Sequence, residues 1–230
     1  MNLLIDVGNT NIKAVLDDGH SFVPVTYDPK ILSEYPLKNI TYACVGDSSE
    51  LAPLISSAHA LGISIREVCT ESVADGVVCG YVDHTLLGVD RWLGVIAGFE
   101  LSDHSPTIIV DLGTATTVDF VDEDGMHHGG WIVPGISLME DSIRNKARKV
   151  FSDGSTGYKK EAGTSTPAAL KNGCLNAQLG LIERAVNVFR CQNIILTGGA
   201  AKYVLPHLSD FNTRFEPDLL FHGLRFYAKD

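Results

Sequence analysis

Asp6 stands at the end of an apolar run, directly before a turn of glycine and small polar residues, in the stretch LLIDVGNTNIKAVLDDG at residues 3 to 19. A carboxylate beside backbone N–H groups and hydroxyls in such a turn is an arrangement suited to Mg²⁺ and phosphate. Lys13 adds a positive charge just after the turn, where it can face a phosphate group. Glycine and asparagine are also ordinary turn residues, so this stretch alone does not separate a binding site from a simple hairpin.

A second segment repeats the same order half a chain later. In IIVDLGTATTVDFVDEDG, residues 108 to 125, an aliphatic strand again leads to an aspartate, an aliphatic residue, a glycine and a small polar turn. Asp111 corresponds to Asp6, and Thr114 and Thr116 match Thr10 on the same side of the hairpin. Two acidic hairpins at half-chain spacing indicate an internal duplication.

The elements that must position these carboxylates are strands and helices of a mixed fold. Apolar runs of strand length flank each turn, so each acidic segment is predicted to form a β-hairpin. Strands such as ITYACV (40–45) alternate with helical stretches such as ELAPLISSAHAL (50–61), and NIILTGGAAKYV (193–204) predicts a later strand, glycine turn and helix. We expect an α/β fold of duplicated ribonuclease-H-like lobes with a nucleotide cleft between them, as in actin, Hsp70 and sugar kinases. The lobes are predicted at residues 1–105 and 106–230, the second including the adenosine region.

Composition narrows the possible partners. The 230 residues include 18 basic and 28 acidic side chains, for a net charge of -10, which argues against nucleic acid or an anionic membrane as the main partner. The five cysteines contain no C-x-x-C pair, which favours reduced thiols. No apolar run approaches the ~18 residues of a membrane span, and Asp6 comes too early for a signal peptide. A cytoplasmic protein is therefore expected.

Two histidines and a polar segment have ordinary structural interpretations. His127 and His128 are adjacent, so on a strand they point to opposite faces, and no acidic or cysteine partner lies at ligand spacing. We therefore interpret both as surface residues of a hairpin. Residues 148–167 are rich in glycine, serine and threonine and predict a mobile surface connection between two helices.

A long helix should follow this connection. Thr166 and Pro167 fit a helix start, with the hydroxyl as the cap and proline in the first turn. From Pro167 to Phe189, apolar residues recur three or four apart: Leu175, Leu179, Ile182, Val186 and Phe189. This stripe indicates either core or a dimer seam.

Five segments, in this order along the chain, resemble the motifs of the type III pantothenate kinases. They are DVGNTNIK (6–13), LGVDR (87–91), DLGTATTVDFVD (111–122), GGWIVPG (129–135) and TPAALKNG (166–173). The stretch before LGVDR keeps the family's tyrosine, Tyr81, but lacks the proline that usually follows it. The resemblance implies a kinase that phosphorylates pantothenate to 4'-phosphopantothenate, the first step of coenzyme A biosynthesis.

The resemblance also implies a role for individual residues. The first hairpin would wrap the phosphates of ATP through Asp6, Val7, Gly8, Asn9, Thr10, Asn11, Ile12 and Lys13, with Mg²⁺ near Asp6. Thr114 would touch the phosphates from the second hairpin, and Asp111 would help hold a monovalent cation, K⁺ or NH₄⁺. Asp90 would be the catalytic residue. Pantothenate would be bound by Tyr81, Gly88, Val89, Asp90, Arg91 and Thr166, the last reached across a homodimer contact.

The sequence leaves alternatives open for Asp90 and for the activity. Asp90 precedes an apolar helical stretch, and an acid in a first helical turn is favoured by the helix dipole by ~0.3–1 kcal/mol without any catalytic role. Another small-molecule kinase or a phosphatase of the same superfamily would share both acidic hairpins but not GVDR or TPAALKNG. A non-catalytic regulatory accessory factor could keep the fold while losing the acid at position 90. Asp6, Asp90 and Asp111 are all present, which favours an enzyme.

Overall fold

The computed structural model describes residues 1–8 and 11–228 and divides into two compact units. The first unit contains residues 1–100 together with the C-terminal residues from Asp218 onward, and the second contains residues 101–217. Each unit is built on one five-stranded sheet.

Strands and helices alternate along most of the chain. The strands are β1 (Asn2–Val7), β2 (Ile12–Asp17), β3 (Phe22–Val25), β4 (Asn39–Cys44), β5 (Ser64–Glu67), β6 (Val73–Ala74), β7 (Val77–Val78), β8 (Thr107–Leu112), β9 (Ala115–Val121), β10 (His127–Pro134), β11 (Asn193–Thr197) and β12 (Asn212–Phe215). The α-helices are α1 (Ile31–Glu34), α2 (Ala52–Ala60), α3 (Val89–Leu101), α4 (Ile136–Lys146), α5 (Thr166–Phe189), α6 (Ala201–Val204) and α7 (Leu219–Tyr227). Short 3₁₀ helices cover Ser48–Leu51, His84–Leu86 and Leu205–His207.

The two sheets have the same topology. The first runs β3-β2-β1-β4-β5 and the second runs β10-β9-β8-β11-β12. In each sheet, the three strands that come first in sequence form an antiparallel meander. The two strands that come later run parallel to the first strand of that meander. Both predicted acidic hairpins are present, as β1 with β2 and β8 with β9. The predicted duplication and the ribonuclease-H-like fold class are therefore confirmed.

The apolar stripe of α5 belongs to the core of the second unit. Leu175, Leu179 and Ile182 are buried against strands β8, β9 and β11, and Phe189 stacks on Phe120 with ring centroids 4.6 Å apart. Of the two interpretations left open by the sequence, core is the correct one. The cap of α5 is Ser165, whose hydroxyl accepts from the Ala168 N–H at 3.4 Å, so the predicted cap at Thr166 is wrong by one residue.

The C-terminal helix α7 returns to the first unit. The Arg225 guanidinium donates to Asp17 Oδ1 from Nε at 3.0 Å and from Nη2 at 2.8 Å, and it lies 3.9 Å from the centre of the Phe22 ring. The Trp92 Nε1–H donates to the Tyr227 hydroxyl at 3.1 Å. The compact units therefore differ from the predicted ranges 1–105 and 106–230, because α7 packs on the sheet of the first unit.

The interpretation of His127 as a surface residue is wrong. His127 is completely buried, and its Nε2 lies 2.9 Å from Asp119 Oδ1 on β9. His128 is exposed and pairs with Asp122. The two rings do point to opposite faces, but each finds an acidic partner across the hairpin, which spacing along the sequence does not reveal. Among the described residues, no group of three or more histidine, cysteine or acidic side chains is arranged to hold a metal ion.

The sequence favours reduced thiols and shows no apolar run of membrane-spanning length, and the structure can be compared with both expectations. All five cysteines are free of disulfide bonds. Within residues 1–8 and 11–228, no helix combines the length and apolar character needed to cross a membrane.

Candidate functional site

Asp6 and Lys13 face each other in the first hairpin. They are direct partners in the β1–β2 ladder, so their side chains lie on the same face of the sheet. Asp6 is half-buried, whereas Lys13 is exposed. Burial raises the pKa of Asp6 to about 6; the positive charge of Lys13 opposes this rise and the negative charge of Asp90 adds to it. Asp90 therefore lies close enough to Asp6 for the two charges to interact within the first unit.

Asp90 is in the first turn of α3. Its Oδ1 accepts a hydrogen bond from the Arg91 backbone N–H at 2.8 Å. The carboxylate folds back over Gly88, where a Cβ atom would lie 2.6 Å from Oδ1, so a side chain at 88 would displace it. Asp90 thus combines a helix-start position with proximity to Asp6, and its geometry is compatible with both interpretations made from the sequence.

Tyr81 and Arg91, two of the predicted pantothenate contacts, contact each other. Arg91 Nη1 donates to the Tyr81 hydroxyl at 2.7 Å, and the guanidinium carbon lies 5.5 Å from the centre of the Tyr81 ring. Arg91 is buried, and Val89 beside it is buried too. A buried guanidinium fixed by an aromatic hydroxyl is a rigid donor, which suits recognition of a polar ligand.

The predicted phosphate contacts differ in which of their groups could reach a ligand. The side chains of Val7 and Ile12 pack into the core of the first unit, so only their backbone could meet a ligand. The Gly8 N–H donates to the Asn11 carbonyl at 3.1 Å and is thus used within the turn. The predicted contacts at Asn9 and Thr10 lie outside the described residues.

Asp111 occupies the position in the second sheet that Asp6 occupies in the first. Its ladder partners are Thr117 on β9 and Thr197 on β11, so two hydroxyls flank the carboxylate on the same face. The corresponding neighbours of Asp6 are Lys13 and Ala43. The duplicated carboxylates therefore have different surroundings: one faces a cation, and the other lies among oxygen atoms.

Thr114 lies exposed in the turn of the second hairpin, which is held by close backbone contacts. The Gly135 N–H donates to the Thr114 carbonyl at 2.9 Å, and a Cβ at Gly135 would collide with the carbonyl oxygens of Gly113 and Thr114. Gln178 of α5, almost fully buried, donates from Nε2 to the Pro134 carbonyl at 3.0 Å. The last glycine of GGWIVPG is therefore required by close backbone packing against the turn.

The predicted site residues are distributed over both units. The first unit holds the hairpin predicted to bind phosphate, at residues 6–13, and the predicted pantothenate contacts from Tyr81 to Arg91; the second unit holds Asp111, Thr114 and Thr166. Thr166 is exposed at the start of α5. Sequence reasoning missed Thr117 and Thr197 as neighbours of Asp111, since only the strand register reveals them.

The ionised carboxylate of Asp6 should destabilise the first unit at neutral pH. A raised pKa means that the folded state holds the proton more tightly than the unfolded state, so the free energy of unfolding falls as pH rises from about 4 to about 6. Asp6→Asn removes this cost, and we expect a gain of about 1–2 kcal/mol at pH 7.5 after allowance for partial exposure. Urea unfolding of the variant and the wild type from pH 4 to pH 7.5 measures the difference. The exposed Asp210→Asn is the control, and a difference that did not grow with pH would contradict the expectation.

The duplicated sheets, each with an aspartate hairpin, define the fold class of sugar kinases and actin. Two solved structures share the fold over 99% of this chain. A Campylobacter jejuni protein described as a Baf family transcriptional activator has a TM-score of 0.66 at 21% identity, with 97% of that chain covered. The ROK hexokinase of Thermus thermophilus has a TM-score of 0.51 at 13% identity, with 98% covered.

The chain belongs to the type III pantothenate kinase family. The family model for type III pantothenate kinase matches residues 27–188. The type III pantothenate kinase of Pseudoalteromonas translucida is 37% identical over 229 residues, covering 99% of this chain and 96% of that protein. The type III pantothenate kinase of Colwellia psychrerythraea is 32% identical, with 99% and 100% covered.

Proposed function

We propose that the protein transfers the γ-phosphoryl group of ATP to the primary hydroxyl of pantothenate, giving 4'-phosphopantothenate, the first step towards coenzyme A. The observation that carries this proposal is the cluster of Asp6, Lys13 and Asp90 in one unit of a chain of this family. Phosphoryl transfer depends on positioning and on charge neutralisation more than on covalent chemistry, and such a cluster supplies both.

In this proposal each site residue of the first unit has a distinct role in the reaction. Asp90 accepts the proton of the pantothenate hydroxyl as that oxygen attacks the γ-phosphorus. Lys13, exposed on the hairpin, faces the phosphates and offsets their negative charge. Arg91, fixed by Tyr81 at 2.7 Å, orients the polar groups of pantothenate. Gly88 leaves room for the Asp90 carboxylate at the helix start.

The residues present fit a magnesium ion carried by ATP. Asp6 and Asp90 bring two carboxylates near each other, and oxygen ligands of this kind are those that Mg²⁺ prefers. Asp6 would be the protein ligand nearest to the phosphates. When bound, the ion neutralises charge on the phosphate oxygens.

A monovalent cation is proposed at Asp111. The carboxylate with its two flanking threonine hydroxyls, Thr117 and Thr197, offers the hard oxygen donors that K⁺ or NH₄⁺ would use. A cation there also offsets repulsion between Asp111 and the bound triphosphate. Thr114 would contact the phosphates from the same hairpin.

Replacing K⁺ by Na⁺ in the assay should reduce turnover strongly, because the smaller ion fits the same oxygen donors poorly. Steady-state rates in matched K⁺, NH₄⁺ and Na⁺ buffers measure the effect. Asp111→Asn should remove the difference between the ions. Full turnover of the wild type in Na⁺ alone would show that Asp111 does not have this role.

A homodimer is proposed because Thr166 would complete the pantothenate pocket of a neighbouring subunit. Apolar side chains exposed on the second unit support a protein contact there: Ile132, Leu138, Ile143 and Phe151. Light scattering should report about twice the chain mass. A strictly monomeric protein that is active at the same concentration would contradict the shared pocket.

The test of the reaction is a coupled kinase assay with pantothenate, ATP, Mg²⁺ and K⁺. Activity on pantothenate and not on a panel of sugars and other small alcohols would support the proposal. Activity on another substrate alone would favour a different kinase of this fold, and no phosphoryl transfer to any substrate would favour a regulatory accessory factor.

A further inference from the structure

Residues 156–165, which we call the strap, are held against α5 by asparagine side chains of that helix. Asn172 accepts at Oδ1 from the Lys159 N–H at 3.0 Å and donates from Nδ2 to the Glu161 carbonyl at 2.8 Å. Asn176 donates to the carbonyl of the residue between them at 3.1 Å. Three consecutive strap residues are thus bound by two asparagines one turn apart.

A second anchor joins the strap to α4. The Tyr158 hydroxyl donates to Glu140 Oε1, a carboxylate that is buried in α4. The Tyr158 ring packs on Tyr203 with ring centroids 4.4 Å apart. Lys171 donates to the Thr156 carbonyl at 2.6 Å, and its Nζ lies 5.4 Å from the centre of the Tyr158 ring. The strap has no regular secondary structure, as predicted for residues 148–167, but it is fastened at both α4 and α5.

Asn172 is committed to this contact. It is only 6% exposed, and both ends of its amide bind strap backbone. The side chain therefore does not face a ligand, although it lies in TPAALKNG, one of the segments singled out in the sequence. Gly163 adds to the fit, because a Cβ there would collide with the backbone of Ala168 and Ala169 in the first turn of α5.

We propose that Asn172 is a positioning residue for pantothenate, because it docks the strap against α5 and so holds Thr166, the residue that directly follows the strap, in place. This inference rests on the proposed function, in which Thr166 contacts pantothenate. It predicts an ordered strap where the sequence alone indicates a mobile surface connection.

Asn172→Asp tests the inference with almost no change of shape. A carboxylate can still accept from the Lys159 N–H, but it cannot donate to the Glu161 carbonyl and repels it. Losing this hydrogen bond should raise KM for pantothenate about 10-fold, with KM for ATP and kcat little changed. Amide hydrogen exchange over residues 156–165 should become faster.

Asn187→Asp is the matched control, since Asn187 is an exposed asparagine of the same helix and donates within that helix, to the Glu183 carbonyl at 2.9 Å. Its kinetics and exchange should match the wild type. If Asn172→Asp does not fold, Tyr158→Phe is used instead, because it keeps the ring on Tyr203 and removes only the donor to Glu140.

Unchanged exchange over the strap would overturn the docking role. Faster exchange with an unchanged KM for pantothenate would overturn the positioning role. It would show that the contact is purely structural, because its loss loosens the strap without changing KM for pantothenate. A wild type without activity on pantothenate would instead refute the proposed function, which separates the two failures.

Discussion

Asp90→Asn should lower turnover by at least ~10²-fold while nucleotide affinity and folding stay close to the wild type. The amide keeps the shape of the carboxylate, and its oxygen can still accept from the Arg91 N–H as Asp90 Oδ1 does at 2.8 Å. What it loses is the ability to take the proton of the attacking hydroxyl, and general-base catalysis is typically worth ~10²–10⁴-fold in rate. Turnover, ATP affinity and melting temperature of the variant are measured together.

The three measurements distinguish a catalytic role of Asp90 from a stabilising role in the first turn of α3. If Asp90 served only the start of α3, its substitution would cost ~0.3–1 kcal/mol of stability and leave turnover near normal. That result would move the catalytic base elsewhere. A second effect is expected at Asp6, since removing the nearby charge of Asp90 lowers the pKa of the Asp6 carboxyl.

Arg225→Met should lower the free energy of unfolding by about 3–5 kcal/mol, because it leaves Asp17 buried without its cation. Asp17 is 1% exposed and accepts two hydrogen bonds from Arg225. Methionine keeps much of the packing on Phe22, so the loss reports the charge and its hydrogen bonds. Urea unfolding followed by circular dichroism measures it.

Two comparisons make this result interpretable. In the second unit, Arg214→Met removes the ion pair of a half-exposed arginine with Glu216 and its hydrogen bond to the Leu101 carbonyl, and should cost no more than about 1 kcal/mol. Asp17→Asn in the Arg225→Met background removes the buried charge and should recover much of the loss. A cost of Arg225→Met equal to that of Arg214→Met would show that the Asp17 charge is solvated or otherwise compensated.

The fold could be predicted from the sequence because its signal is local and repeated. Asp6 and Asp111 each follow an aliphatic strand and precede a glycine turn, and two copies of one pattern imply two copies of one sheet. The long α5 was equally clear from its apolar spacing. The sequence predicts its cap one residue late because Ser165 and Thr166 are chemically alike, and only the backbone conformation decides which of them is outside the helix.

The site was less accessible to sequence reasoning, since its key relations cross between elements. Strand register makes Thr117 and Thr197 the partners of Asp111. The pairing of the β9–β10 hairpin brings buried His127 to Asp119. The resemblance to a family supplied roles for Tyr81 and Arg91 but not their contact with each other. These roles stay predictions.

The return of α7 to the first sheet has a consequence for synthesis on the ribosome. The second unit is continuous from residue 101 to 217, so all of its contacts are available once that stretch has emerged. The first unit, although its sheet is made first, lacks the partner of Asp17 until a residue 208 positions later has been added. Domains that are continuous in sequence fold as they emerge, and long-range contacts form late. We therefore expect the first unit, although its sheet is translated first, to complete its folding after the second unit, because the buried Asp17 pairs with an arginine 208 positions later in the chain.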